Sequence, residues 1–299
     1  MSTVLQDAAN FATEFSTDEL LAECKARADI YRILSGAFLE EPTAEYLNAI
    51  RSPAVMSSLL EMGVVFPDDF TAPPLAELLD TLACEYAVLF VVTGGCPAVE
   101  SIRLHGRFQQ QPFFEVREIY QKAGFKVSGG RFMVFDDQLG AQLMFVAEML
   151  DRAANALAAG NQSDYVGTVK IIKRFWTLHL GKWVRGYATL LARAAEHSFY
   201  REMAKLLGGF AEWELGLLGV RVDDVDGGKL KVPLAEIEYE SDPNEPVCNA
   251  CKHGKQGNDN ASADEQQVID ISLIEKRLQG TKYDAISVGL GRTRLSVER

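Results

Sequence analysis

An all-α fold is what this sequence predicts: one helical bundle over residues 1–220, followed by a largely irregular, acidic extension over residues 221–299. Three observations carry the prediction. Apolar residues recur at three- and four-residue steps in one segment after another as far as residue 217, the spacing of helices with one buried face. No alternating apolar and polar stretch of useful length appears before residue 220, so strands have no signal there. The 299 residues, 47% hydrophobic and 24% charged, suffice for one well-filled core or for one large and one small domain.

The elements follow in order. Ser16 and Glu19 have the spacing of a capping box, and Leu21, Cys24, Ala28, Tyr31, Leu34 and Phe38 then mark one face of a helix that Pro42 ends. A shorter helix is expected around Thr43–Arg51. Four prolines between residues 52 and 74 leave room for a short helix and a connecting loop. Pro74 suits the first turn of the next helix, whose apolar face is Leu75, Leu78, Leu79, Leu82, Tyr86, Leu89 and Phe90 and which Gly94-Gly95 stops. Residues 94–111 read as a loop, Pro112 opens a helix through Tyr120, and Gly124 caps it. After an irregular stretch at 125–135, Asp136 starts a strong helix with Leu139, Leu143, Val146, Met149, Leu150 and Ala153 inside, closed by Gly160-Asn161. Ser163 caps the next, which reaches about Leu180, and two more cover roughly 182–196 and 198–217. The total is eight or nine helices.

Charge separates the two parts. The whole chain carries a net charge of -12. Residues 221–270 hold five Lys/Arg against twelve Asp/Glu, and residues 271–299 hold six against three. Large apolar residues almost vanish between Glu240 and Gln267, a composition that cannot offset its ordering entropy by burial. The extension admits one short helix at Ser272–Leu278. An acidic surface argues against general nucleic-acid binding and favours cationic partners such as a basic peptide. No apolar run reaches the roughly 18–20 residues that span a bilayer, and the first thirty residues lack the pattern of a secretory signal. The five cysteines, odd in number and mostly in apolar surroundings, fit a reducing compartment, the cytoplasm.

Signatures of catalysis are scarce. There is no phosphate-binding glycine loop and no His-Glu-x-x-His. His105, His179, His197 and His253 are scattered, and His179 and His197 read as structural. Cys248-Asn-Ala-Cys251 could share a metal or cycle as a dithiol, with His253 as a third ligand but no fourth nearby. Two solvent-exposed thiols are the favoured reading, so no metal is assigned. Asp136-Asp137 serves either to cap its helix or to receive a cationic group. Tyr86, Leu89 and Phe90 are either core or the wall of a groove.

Five segments together resemble the TorD/DmsD/NarJ group of redox-enzyme maturation chaperones, nearest to the TorD-like branch. They are Arg27–Phe38, Glu85–Phe90, Pro97–Arg103, Phe175–Trp183 and Phe199–Leu207, which are similar to the family's opening helix, Y-x-x-L-F segment, P-x-x-E-S-x-Y loop, F-x-x-x-H-L-x-x-W run and last-helix F-Y-x-x-x-A run. Two departures stand out. The family's E-P-x-D-H motif reads Val134-Phe135-Asp136-Asp137-Gln138 here, and Arg103 stands where the loop has Tyr. The resemblance ends at about residue 217.

The resemblance implies an all-helical cytoplasmic chaperone, not an enzyme. It would bind an immature molybdoenzyme of the dimethyl-sulfoxide-reductase type, its twin-arginine leader, or both, until the molybdenum cofactor is inserted. No cofactor is assigned to it, and the oligomeric state and the binding of a nucleotide stay open. On that reading Tyr86, Leu89 and Phe90 form the groove wall, and Pro97, Glu100 and Ser101 form the adjacent loop. Asp136, Asp137 and Gln138 form a polar end that meets the arginines. The rival readings are a redox or metal-binding protein working through Cys248 and Cys251, and a helical scaffold without a peptide groove.

Overall fold

In the computed structural model, which describes residues 16–92, 94–127, 134–229 and 267–269, helix α1 (Thr17–Phe38) begins as the capping box requires. The Ser16 hydroxyl accepts from the Glu19 N–H, and the Glu19 carboxylate accepts from the Ser16 N–H. Two short helices follow, α2 (Ala44–Ile50) behind its Thr43 cap and α3 (Pro53–Glu61) behind Ser52 with proline at its first turn. The next are α4 (Asp68–Thr71) and α5 (Leu75–Tyr86). Then come α6 (Glu100–His105), α7 (Gln111–Lys122), strand β1 (Phe125–Val127), α8 (Leu139–Ala158), α9 (Gln162–Leu178), α10 (Val184–Ala194) and α11 (Ser198–Leu217). Among the described residues there are thus eleven α-helices, and the fold is all-α, as the hydrophobic spacing requires.

Two buried helices, α1 and α8, form the centre. Their inner residues, including Tyr31, Leu34, Phe38, Leu143, Val146 and Leu150, have essentially no exposed surface. Gly140 makes the approach possible, because a Cβ there would lie 2.6 Å from the Leu39 Cα. The Ser35 hydroxyl, on the last turn of α1, donates to the Gly140 carbonyl at 2.8 Å and locks the register. Helix α11 closes the other side of α1 through Arg27, whose guanidinium donates to both oxygens of the buried Glu214 at 3.2 and 2.5 Å. Trp176 of α9 adds a bond from its indole N–H to the Tyr31 hydroxyl at 2.7 Å. Polar fastenings of this kind fix which face of each helix turns inward.

Four local differences from the expected elements have physical reasons. Helix α5 ends at Tyr86, and residues Ala87–Val91 form one π-helical turn, so Leu89 and Phe90 still face inward on a widened ring. The loop 94–111 contains α6, which is short and ends at Gly106 with φ +75°. Helix α8 starts at Leu139, not Asp136, because the cap is Gln138, whose side-chain oxygen accepts from the Ala141 N–H at 3.1 Å. Residues 125–127, expected to be irregular, are a strand, and it pairs in parallel with β2 (Gln267–Ile269) of the extension. The described bundle also continues past residue 220 to Lys229. Cys248, Cys251, His253 and the segment 272–278 lie outside the described residues.

Candidate functional site

The π-helical turn projects two sets of side chains. Leu89 and Phe90 point into the bundle, where the Phe90 ring meets Phe38 edge-on at 6.4 Å, Tyr86 at 4.8 Å and Tyr200 at 5.7 Å. The Tyr86 hydroxyl donates to the Leu39 carbonyl at 3.2 Å, and burial pushes its pKa up. Val88, Val91 and Val92 point the other way and are 60%, 69% and 48% exposed. Three valines on one short segment make an apolar step that the bundle itself does not cover.

The loop over residues 95–98 is tied down at several points. The Cys96 N–H donates to the Leu89 carbonyl, the Tyr187 hydroxyl to the Cys96 carbonyl at 2.7 Å, and the Leu139 N–H to the Ala98 carbonyl at 2.8 Å. Pro97 is half-buried. Val99 bridges Gln138 antiparallel, so the loop and the start of α8 run as a two-residue ribbon.

Below that ribbon lies a polar knot. The Glu100 N–H donates to the Asp137 carbonyl at 3.0 Å, and the Ser101 N–H donates to the Asp137 carboxylate at 2.8 Å. Asp137 therefore caps α6 from outside that helix. The Ser101 hydroxyl accepts from the Gln110 N–H at 3.1 Å. The Glu100 carboxylate takes the Gln142 amide at 2.7 Å on one oxygen and faces His179 Nδ1 at 3.1 Å on the other. Burial raises the Asp137 pKa, the bonds from Ser101 oppose that, and the nearby Glu100 charge adds to it. Among the described residues, the second Asp137 oxygen, the Gln142 carbonyl oxygen, His179 Nε2 and the Trp183 indole N–H find no protein partner.

Asp136 behaves differently from its neighbour. It lies at the edge, 9% exposed, with its carboxylate on the Arg117 guanidinium at 2.7 Å. Arg117 is half exposed and also lies 4.3 Å over the Phe113 ring.

The sequence-derived site residues are thus brought together, but mostly facing inward. Tyr86, Leu89, Phe90, Glu100, Ser101, Asp136, Asp137 and Gln138 are buried, and only Pro97 is partly open. The cap expected of Asp136-Asp137 on α8 is taken by Gln138, which also donates to the Phe38 carbonyl at 2.6 Å. Missed from sequence were Gln142, the exposed valines, and the partner of Arg103, which is Asp226, 123 residues away. Long-range polar partners leave no periodic signal. The valines, by contrast, stood in the sequence as an apolar run just past the helix face. His179 and His197 are structural, His197 accepting from the Phe199 N–H at 3.0 Å as the cap of α11.

Among the described residues, no cluster of three or more His, Cys, Asp or Glu side chains could hold a metal ion, and no helix is long and apolar enough to cross a membrane. Residues 54–189, from within α3 into α10 and just under half of the chain, match the family described as nitrate reductase delta subunit, a relative of TorD and DmsD, which bears out that resemblance. Neither a curated protein nor a solved structure matches the chain.

Proposed function

We propose that this protein is a cytoplasmic assembly chaperone for a molybdoenzyme of the dimethyl-sulfoxide-reductase type. It holds the immature catalytic subunit, its twin-arginine leader, or both, until the molybdenum cofactor is inserted. The match of residues 54–189 to the nitrate reductase delta family carries this reading and makes a nitrate reductase a first client to test. Residues 1–220 serve as the chaperone domain and 221–299 as an extension to it.

The surface chemistry supports a basic, apolar client segment. Val88, Val91 and Val92 offer exposed apolar area, worth roughly 25 cal/mol per Å² covered before ordering costs. Tyr86, Leu89 and Phe90 are the rigid floor beneath them, and Pro97, Glu100 and Ser101 hold the neighbouring loop in shape. Asp136 exchanges Arg117 for a client arginine of the same geometry, while Asp137 and Gln138 fix its backbone. The net charge of -12 speeds the encounter.

Anisotropy titration of a labelled peptide with two adjacent arginines and a following apolar stretch tests this. Binding in the micromolar range should weaken tenfold or more with Val91→Asp and with Asp136→Asn, and should fall with added salt. A peptide that stays free at high micromolar protein, or affinities untouched by both variants, overturns the leader-binding role.

A further inference from the structure

The chain beyond α11 does not leave the bundle at once. Residues 222–229 cross back over α10 and end against α6; Val222 packs at the edge of the core, but Val225 is 63% exposed. Polar contacts do the holding. The Asp224 carboxylate accepts from the Gly186 N–H at 2.8 Å, and any Cβ at Gly186 would meet that carboxylate at 2.6 Å. The Val225 N–H donates to the Lys182 carbonyl at 2.7 Å, and the Arg193 guanidinium to the Gly228 carbonyl at 2.7 Å. Gly227 and Gly228, with φ +65° and +62°, turn the chain so that Asp226 points inward.

Asp226 enters a slot lined by Arg103 and Tyr187. Arg103, 1% exposed, donates to its two oxygens at 2.8 and 2.9 Å and to the Lys229 carbonyl at 2.8 Å, while its guanidinium lies 5.3 Å over the Tyr187 ring. A buried guanidinium tolerates no vacancy, so the slot demands a carboxylate. Arg103 also sits one helical turn from Glu100 on α6, and Glu100 is the hub of the knot with Gln142 and His179.

We propose that residues 222–229 form a releasable latch, in which Asp226 locked onto Arg103 ties the C-terminal extension to α6, so that engagement of the extension is felt at the Glu100–His179 pair. Segments held by polar contacts with little apolar burial open below the global unfolding limit, and the deepest contact of this one is the Arg103–Asp226 ion pair, with side chains 1% and 0% exposed. The latch needs no client and stands whether or not the leader-binding reading holds.

Hydrogen exchange on the full chain, without any peptide, tests it. In Asp226→Asn, amides of 222–229 and of 100–106 should both exchange at least tenfold faster, while α1, α8 and α11 keep their protection. Should that variant lose protection everywhere, Arg103→Tyr decides, because it leaves no buried cation and restores the residue that the resembling loop carries. It should free 222–229 and loosen 100–106 in a folded bundle. Unchanged exchange of 222–229 in the deciding variant, or a freed strap with 100–106 unmoved, overturns the latch.

Discussion

His179 Nδ1 lies 3.1 Å from Glu100 Oε1, and both side chains are 1% exposed. This contact joins the end of α9 to the first turn of α6 across 79 residues, and Gln142 of α8 completes it from the third side. Three separate helices thus converge on one carboxylate in the interior. Truncating that carboxylate leaves the imidazole and one N–H of the Gln142 amide, whose nitrogen also donates to the Asp137 carbonyl at 3.1 Å, without their partner, and the cost of orphaned buried polar groups exceeds that of losing the bonds themselves.

Glu100→Ala should therefore lower unfolding stability by about 3 kcal/mol, with Glu100→Gln recovering part of the loss by keeping one bond. Urea denaturation followed by tryptophan fluorescence measures it. A loss below about 1 kcal/mol would mean that water already serves the pocket.

The helix-on-helix contact at Gly140 gives a second expectation. A methyl group there meets the Leu39 backbone, with Cα at 2.6 Å and N at 2.8 Å, and backbone cannot swing aside as a side chain end can. Gly140→Ala gains helix propensity but forces α1 and α8 apart, so the net should be a loss of about 1–3 kcal/mol. A stabilised variant in thermal melts would refute the close approach.

The sequence displayed the bundle clearly and its site only in part. Helices such as α1 and α11 announce themselves because burial on one side forces a three- and four-residue spacing, and Ser16 and Glu19 add a local cap that needs no tertiary partner. Features that depend on tertiary partners were less visible. Helix α6 is too short for a period, and its cap comes from Asp137, 36 residues on. Asp136-Asp137 looked like one acidic pair, yet one carboxylate is held inside by Ser101 and the other meets Arg117 at the edge. Arg103 was noticed only as a departure from the resembling loop, and its partner Asp226 lay in a segment that composition assigned to the extension.

Asp29 supplies a pH dependence. It is 5% exposed, and burial raises its pKa to about 6 from 3.8, Arg32 pulling the other way and Asp151 adding to the rise. A carboxyl that holds its proton more tightly when folded makes the native state bind more protons than the unfolded chain between those two values. Stability from this group is then full below about pH 4, declines as pH rises to about 6, and is gone above it, a span of about 2–3 kcal/mol. Asp29→Asn mimics the protonated form. The stability difference between variant and parent should be near zero at pH 4 and grow in favour of the variant by pH 7. A difference that does not change with pH would place the Asp29 carboxyl in its ordinary range.

The start of α11 is capped from two other elements. Glu85, at the end of α5, accepts from the N–H groups of Glu196 and His197 at 2.7 and 2.9 Å. Asp69, in α4, accepts from the Ser198 N–H at 2.9 Å and its hydroxyl at 2.6 Å. Burial alone would raise the Asp69 pKa, but the Ser198 bonds and the adjacent His197 outweigh it and leave the pKa lowered. Both carboxylates also face the positive end of a 20-residue helix. Each replacement by alanine should cost about 1 kcal/mol, within the range for lost helix caps. Because the two act on different N–H groups, the double variant should cost close to the sum. Amide exchange should rise at residues 196–200 before anywhere else in α11. If instead Glu85→Ala leaves stability and exchange untouched, its place in the Glu85–Phe90 segment owes nothing to capping, and the client surface becomes the better account of that carboxylate.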